Sequence, residues 1–249
     1  MKLVAALLAF GLPVLAAHPA EEFDTDVDTY QGPVVIGKVR MTPIQHASLT
    51  LEAVGNVVYV DPAQGNFDGL RPADVILITD IHPDHFAPKI IEKLKKPTTV
   101  IIAPEAVAKS LPGATVLHNG ESKTIDTHAL GEWKVQAMPM YNLKPNAQGQ
   151  IMHEKGRGNG YVVSYGELRI YIAGDTDGIP EMRALKNIDI AFIPMNPPYT
   201  MSPQEAADAV RAFHPKVVYP YHYRGADPKV FASALKDSGI DVRIRDWYE

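Results

Sequence analysis

Val75-Ile76-Leu77-Ile78-Thr79-Asp80-Ile81-His82-Pro83-Asp84-His85 decides how the chain is read. Val75–Thr79 is a continuous apolar run of strand length and reads as a buried strand. Directly after it, two histidines and two aspartates fall within six residues, with Pro83 stiffening the loop. Packing does not explain that density. Such groups, held together, need a cation or shared protons to offset desolvation and charge repulsion. A solvated polar loop is the plainer alternative, and the buried strand in front of it argues against that.

The same pattern, an apolar strand followed by a histidine or carboxylate, recurs along the chain. Val57–Val60 is followed by Asp61, Trp133–Met138 by Asn142 and then His153, Leu168–Ala173 by Gly174-Asp175, and Val217–Tyr219 by His222. His46 opens the apolar segment Ala47–Val54 and can reach the same edge. Imidazole and carboxylate are the usual ligands of zinc and similar divalent ions, so these strand ends predict one metal-binding rim. Singly, the residues have plainer readings: Asp175 as a turn former, His222 and His46 as packed histidines. His118 and His128 lie in polar stretches and read as surface residues, and His214 suits a helix end.

Val34–Val39, Ala47–Val54 and Val57–Val60 read as strands, the last two joined by a turn at Gly55-Asn56. Pro88–Leu94 and Glu105–Ser110 read as short helices flanking a strand at Thr99–Ala103. Gly160–Ser164 and Leu168–Ala173 form a hairpin about Gly166, and Ile188–Ile193 is a further strand. Ser202-Pro203-Gln204-Glu205 is a capping box that opens a helix to Phe213. Asp227-Pro228 opens another, which stops at Gly239. The first half is strand-rich with short helices; the second has hairpins, then strand–helix–strand–helix–strand. This predicts an α/β fold of two sheets packed face to face with helices outside, a four-layer αββα sandwich. No internal repeat is visible in the sequence.

Composition excludes several classes. With no cysteine among 249 residues, thiolate metal sites, a cysteine nucleophile and a disulfide scaffold are ruled out. A balance of 24 Lys plus Arg against 29 Asp plus Glu argues against a nucleic-acid binder, which carries a basic face. Lys2, the apolar run Leu3–Leu15 and Ala16-Ala17 read as a cleaved signal peptide over residues 1–17. The run is too short, and too interrupted by Gly11 and Pro13, for stable membrane insertion. Residues 18–32 read as an acidic leader and 33–249 as one domain, placed in a periplasm or outside the cell.

The chain resembles the metallo-β-lactamase-fold hydrolases. Asp80-Ile81-His82-Pro83-Asp84-His85 is similar to their His-x-His-x-Asp-His signature, Gly174-Asp175-Thr176 to their downstream Gly-Asp-Thr motif, and Pro220-Tyr221-His222-Tyr223 to the last metal-histidine motif. The resemblance covers about residues 33–249 and is nearest to lactonase-like and uncharacterised hydrolases ending in Trp-Tyr, as in Asp246-Trp247-Tyr248. It implies one or two divalent ions, zinc first, with Asp84, His85, Asp175 and His222 forming one site and Asp175 bridging to the other. Asp61 resembles an aspartate that supports the first site from behind. Two departures stand out. Asp80 replaces the first histidine, and Met140-Tyr141-Asn142 falls where a separate metal histidine is often placed. His153, from the following loop, or Asn142 then completes the site of Asp80 and His82, and the added oxygen admits manganese or iron.

The activity implied is hydrolysis of an ester, lactone, amide or phosphodiester of a small molecule by a metal-activated water, with Asp84 positioning or deprotonating that water. Tyr199, after Asn196-Pro197-Pro198, is expected either to line the pocket or to sit on a surface loop. Two alternatives differ in class: a metal- or ligand-binding protein without turnover, and an iron-dependent redox enzyme. Metal content, hydrolysis and oxygen consumption separate them.

Overall fold

The structure, a computed structural model, describes residues 34–36, 39–126 and 132–248. The expected signal peptide and acidic leader, and His128, lie outside these residues. The first sheet runs in chain order through β1 (Val34–Ile36), β2 (Val39–Gln45), β3 (Ser48–Ala53), β4 (Asn56–Val60), β5 (Ala73–Leu77), β6 (Lys95–Ala103) and β7 (Thr115–Val116). The second runs through β8 (Ser122–Asp126), β9 (Glu132–Met140), β10 (Gly158–Tyr165), β11 (Leu168–Ile172), β12 (Ile190–Pro194), β13 (Val217–Tyr221) and β14 (Asp241–Val242). In each sheet the first four strands pair antiparallel and the last three connections are parallel. The two halves therefore share one topology, although their sequences show no repeat.

Strand alternation explains the layers. The faces of β3, β4 and β5 bearing Leu49, Leu51, Val58, Val60 and Val75 meet Trp133, Tyr161, Ile172 and Phe192 of the other sheet in one buried core. On the far side of the first sheet, Tyr59, Ile76 and Ile101 pack against Ile91 and Leu94 of α1 (Pro88–Leu94) and Val107 of α2 (Glu105–Ala108). On the far side of the second, Tyr171, Ala191, Ile193 and Val218 meet α3 (Pro180–Arg183), α4 (Pro203–Phe213) and α5 (Pro228–Leu235). The result is the expected αββα sandwich. Among the described residues no helix is long and apolar enough to cross a membrane.

Several boundaries differ from the sequence reading. The segment read as one strand over 34–39 is divided between β1 and β2, and β2 continues to Gln45. The β3–β4 turn is Val54-Gly55, not Gly55-Asn56: Ala53 pairs with Asn56, and both turn residues have positive φ (41° and 86°). A two-residue turn of that hand matches strand twist, and here it forces Val54 into a conformation unusual for a β-branched residue. α5 ends at Leu235, before the turn that reaches Gly239.

The parallel strands set up the functional edge. In sheets of this kind, ligands gather beyond the carboxyl ends of the strands. β4, β5, β11 and β13 deliver Asp61, Asp80–His85, Asp175 and His222 there. Two glycines let these loops close up. A Cβ on Gly158 would lie 2.9 Å from the Thr79 carbonyl oxygen and 2.2 Å from Met140 Cε, and one on Gly174 would lie 2.4 Å from Met140 Sδ.

Candidate metal centre

His85 is held first. Its Nδ1 lies 2.8 Å from Asp61 Oδ2. Asp61, fully buried, also accepts from the Thr79 backbone N–H at 2.7 Å and the Thr79 hydroxyl at 2.6 Å. A carboxylate facing Nδ1 fixes that ring proton and aims Nε2 into the site. The expectation that Asp61 stands behind the first site is corrected here: the β4–β5 pairing sets it behind His85, in the second. His153 is oriented in the same way, with Asn142 Oδ1 3.1 Å from its Nδ1 and 2.9 Å from its backbone nitrogen. Asn142 also donates to the Tyr199 carbonyl oxygen. It thus supports His153 from outside rather than facing the centre, while the Tyr199 side chain is exposed on the surface.

Asp175 spans the group. Its Oδ2 is 3.3 Å from His85 Nε2 and 3.2 Å from His153 Nε2, and its Oδ1 is 3.3 Å from His222 Nε2. Asp84 Oδ2 is 3.5 Å from His222 Nε2. Asp80 Oδ2 is 3.0 Å from His82 Nδ1 and 3.7 Å from His153 Nε2. Among the described residues three sets of donors, His46–Asp84–His222, Asp80–His82–His153 and His85–Asp175–His222, each lie within 4.8 Å of one another. His85 Nε2, His153 Nε2, His222 Nε2 and Asp175 Oδ1 are buried and make no hydrogen bond. Leaving four such atoms unpaired costs roughly 1–3 kcal/mol each. A divalent cation in each of the last two sets would satisfy them, so these residues fit the metal centre that the sequence pattern implies.

The electrostatics of the metal-free chain agree. Burial opposes charge on Asp175, but the His222 and His85 imidazoles outweigh it and hold the carboxyl well below the usual range. Burial likewise opposes protonation of His85, and Asp175 and Asp61 overcome it, raising its pKa well above the ordinary 6.5. A proton thus occupies the place a cation would take, and metal uptake releases it. The sign of the linkage follows. The His85 contribution to stability is complete below pH 6.5 and is lost as pH rises through its raised pKa, whereas that of Asp175 is complete above pH 3.8 and is lost on acidification. Chelator-treated protein is expected to melt highest between these limits and a few degrees lower once the pH has risen through the raised His85 pKa. A melting temperature that stays flat or rises over the alkaline range would contradict this.

His46 sits at the β2–β3 turn with Nε2 3.2 Å from Asp84 Oδ2 and Nδ1 2.8 Å from the Tyr248 hydroxyl. Asp84 only accepts when ionised, so the His46 proton is on Nε2 and Tyr248 donates to Nδ1. Burial lowers the His46 pKa despite Asp84. His46, Asp61 and His222 all have positive φ (57°, 43° and 47°); such strain gathers at functional sites. The backbone ties His46 to His222 and to the chain's end: His46 N donates to the Trp247 carbonyl oxygen and His222 N to that of His46. The sequence reading missed Tyr248 as a partner of the site, and also Arg157, whose Nη2 lies 2.7 Å from Asp80 Oδ2. An aspartate in place of a neutral imidazole calls for a compensating cation, but nothing near Asp80 in the sequence points to Arg157.

Residues 40–222 match the model of the beta-lactamase superfamily domain. The chain belongs to the metallo-β-lactamase superfamily of metal-dependent hydrolases. A UPF0173 metal-dependent hydrolase of Lysinibacillus sphaericus is 31% identical over 217 residues, covering 79% of this chain and 92% of that protein. The crystal structure of a candidate metal-dependent hydrolase from Parabacteroides distasonis superposes with a TM-score of 0.81 at 42% identity, covering 88% of this chain and all of the other. Igni18, a metallo hydrolase of Ignicoccus hospitalis, shares the superfamily fold at 22% identity and a TM-score of 0.68, over 85% of this chain and 96% of its own.

Proposed function

We propose that the chain hydrolyses an ester, lactone, amide or phosphodiester of a small molecule. In this reading Asp84, His85, Asp175 and His222 hold one divalent ion, and Asp80, His82 and His153 hold a second that shares Asp175. The observation that carries it is the convergence of three buried imidazole nitrogens that make no hydrogen bond on the two oxygens of Asp175, His85 and His153 at Oδ2 and His222 at Oδ1. A divalent cation bound there supplies an acidified water and polarises the oxygen of the scissile group. Asp84 has the most exposed carboxylate of the set, at 32%, and faces substrate and solvent. Burial opposes its charge, but His222, His46 and His85 beside it hold its carboxyl far below the usual range. Asp84 therefore accepts a hydrogen bond from the attacking water and orients it, rather than keeping its proton. His46, steadied by Tyr248, contacts Oδ2 of that carboxylate, the same oxygen that His222 faces.

Imidazole and carboxylate donors suit zinc, and Asp80 adds the oxygen that also suits manganese or iron. The Leu3–Leu15 run before Ala16-Ala17 supports export to a periplasm or beyond. The test combines metal analysis with a panel of small esters, lactones, amides and phosphodiesters. Zinc, manganese or iron is expected to support hydrolysis of one class, chelation to abolish it and the same metal to restore it. Hydrolysis indifferent to chelation, or metal bound without hydrolysis of any class, would overturn the reading.

A further inference from the structure

Asp80 is a fully buried carboxylate with both oxygens engaged. Oδ1 accepts from the Ile81 backbone N–H at 2.8 Å. Oδ2 has Arg157 Nη2 at 2.7 Å and His82 Nδ1 at 3.0 Å. The loop that brings His153 Nε2 to 3.7 Å from Asp80 Oδ2 also brings Arg157 Nη2 to 2.7 Å from the same oxygen. After His153 the chain turns at Gly156 (φ 87°), Arg157 N donates to the Glu154 carbonyl oxygen, and β10 begins at Gly158 against Thr79. Arg157 Nε is buried and makes no hydrogen bond, so Asp80 is what anchors this guanidinium in the site.

The two halves of the centre therefore differ in charge. Asp80 and Arg157 cancel, and the donors which that half adds to the shared Asp175 are the imidazoles His82 and His153. The other half adds Asp84 to that shared carboxylate, with Asp61 behind His85, and among the described residues none of the ion pairs of Asp84, Asp175 and Asp61 involves a lysine or arginine. A dication approaching the Asp80 half meets a fixed positive charge and must share or displace its hydrogen bond, whereas the other half attracts it. We infer that Arg157 guards the Asp80–His82–His153 half, so that metal loads in order: first and tightly at Asp84–His85–Asp175–His222, then weakly at the guarded half. Arg157 is a positioning residue in this scheme, acting through Asp80. The inference rests on the two-site reading proposed above.

The experiment is a competition titration of the metal-free full chain with zinc alone. Wild-type protein is expected to show two binding steps at least about a hundredfold apart, with His82→Ala removing the weak one. Arg157→Met should tighten the weak step at least about tenfold and leave the tight step within about twofold. Arg157→Lys, which keeps the charge, should preserve the wild-type separation. If Arg157→Met fails to fold, Arg157→Gln, which keeps a donor without the charge, should give the same tightening. A weak step that is unchanged or weaker after loss of the arginine charge would overturn the guard, as would two equal steps in the wild type. No zinc uptake by any form would instead defeat the metal-centre reading itself.

Discussion

Asp175→Ala is expected to give a folded protein that has lost bound metal and hydrolysis together. Among the described residues Asp175 is the one carboxylate within 3.3 Å of His85, His153 and His222 at once. Its removal deletes the negative charge that both halves share and leaves two cations to repel each other across the gap. Loss of a partner that merely orients a ligand typically weakens metal binding 10–100-fold; loss of the shared ligand should exceed about 100-fold. The fold should survive, because the turn is tied independently. The Gly174 N–H donates to the Tyr221 hydroxyl at 2.9 Å, and the Thr176 hydroxyl donates to the Tyr141 carbonyl oxygen. The measurements are metal content and circular dichroism on one preparation. A folded Asp175→Ala protein that retains its metal would remove Asp175 from the bridging position.

How much of this the sequence disclosed depends on the range over which each signal acts. Asp80–His85 was legible because its four chemical groups lie within one loop and follow an unmistakably apolar strand. Asp175 and His222 were legible through motifs that sit at strand ends. The sandwich followed from the alternation of apolar runs with turn residues. The short pieces β7 and α3 were not visible, and β14 only as an unplaced strand after the last helix. β8 has one buried residue, Ile125, and its pairing with β9 is supplied by the sheet rather than by local preference. The Asp80–Arg157 pair joins residues 77 positions apart, and nothing local announces it; it exists because Gly158 lets β10 start against Thr79. The same holds for Tyr248, which reaches His46 over a separation of 202. Partners that orient ligands come from whichever element the tertiary packing brings behind them, so they are the part of a metal centre least readable from spacing.

Asp61 allows that outer layer to be tested by a single atom. Asp61→Ala leaves the Thr79 N–H, the Thr79 hydroxyl and the His85 Nδ1–H without their carboxylate in a fully buried place. Breaking such a buried pair costs roughly 3–5 kcal/mol, enough to lower the melting temperature by about 10 °C in a domain of this size. Asp61→Asn separates stability from chemistry. Its amide oxygen can still accept from Thr79 N, but its NH2 then faces His85 Nδ1. Two donors cannot face each other, so the ring must accept at Nδ1 and carry its proton on Nε2, the nitrogen aimed at the centre. The imidazole then presents a hydrogen where a cation needs a lone pair. Asp61→Asn is therefore expected to stay folded, to melt well above Asp61→Ala, and to bind metal about 10–100-fold more weakly than wild type. Zinc competition read alongside thermal melting decides it. Wild-type affinity in the asparagine variant would mean that Asp61 serves only to hold the loop, and that the His85 tautomer is set elsewhere.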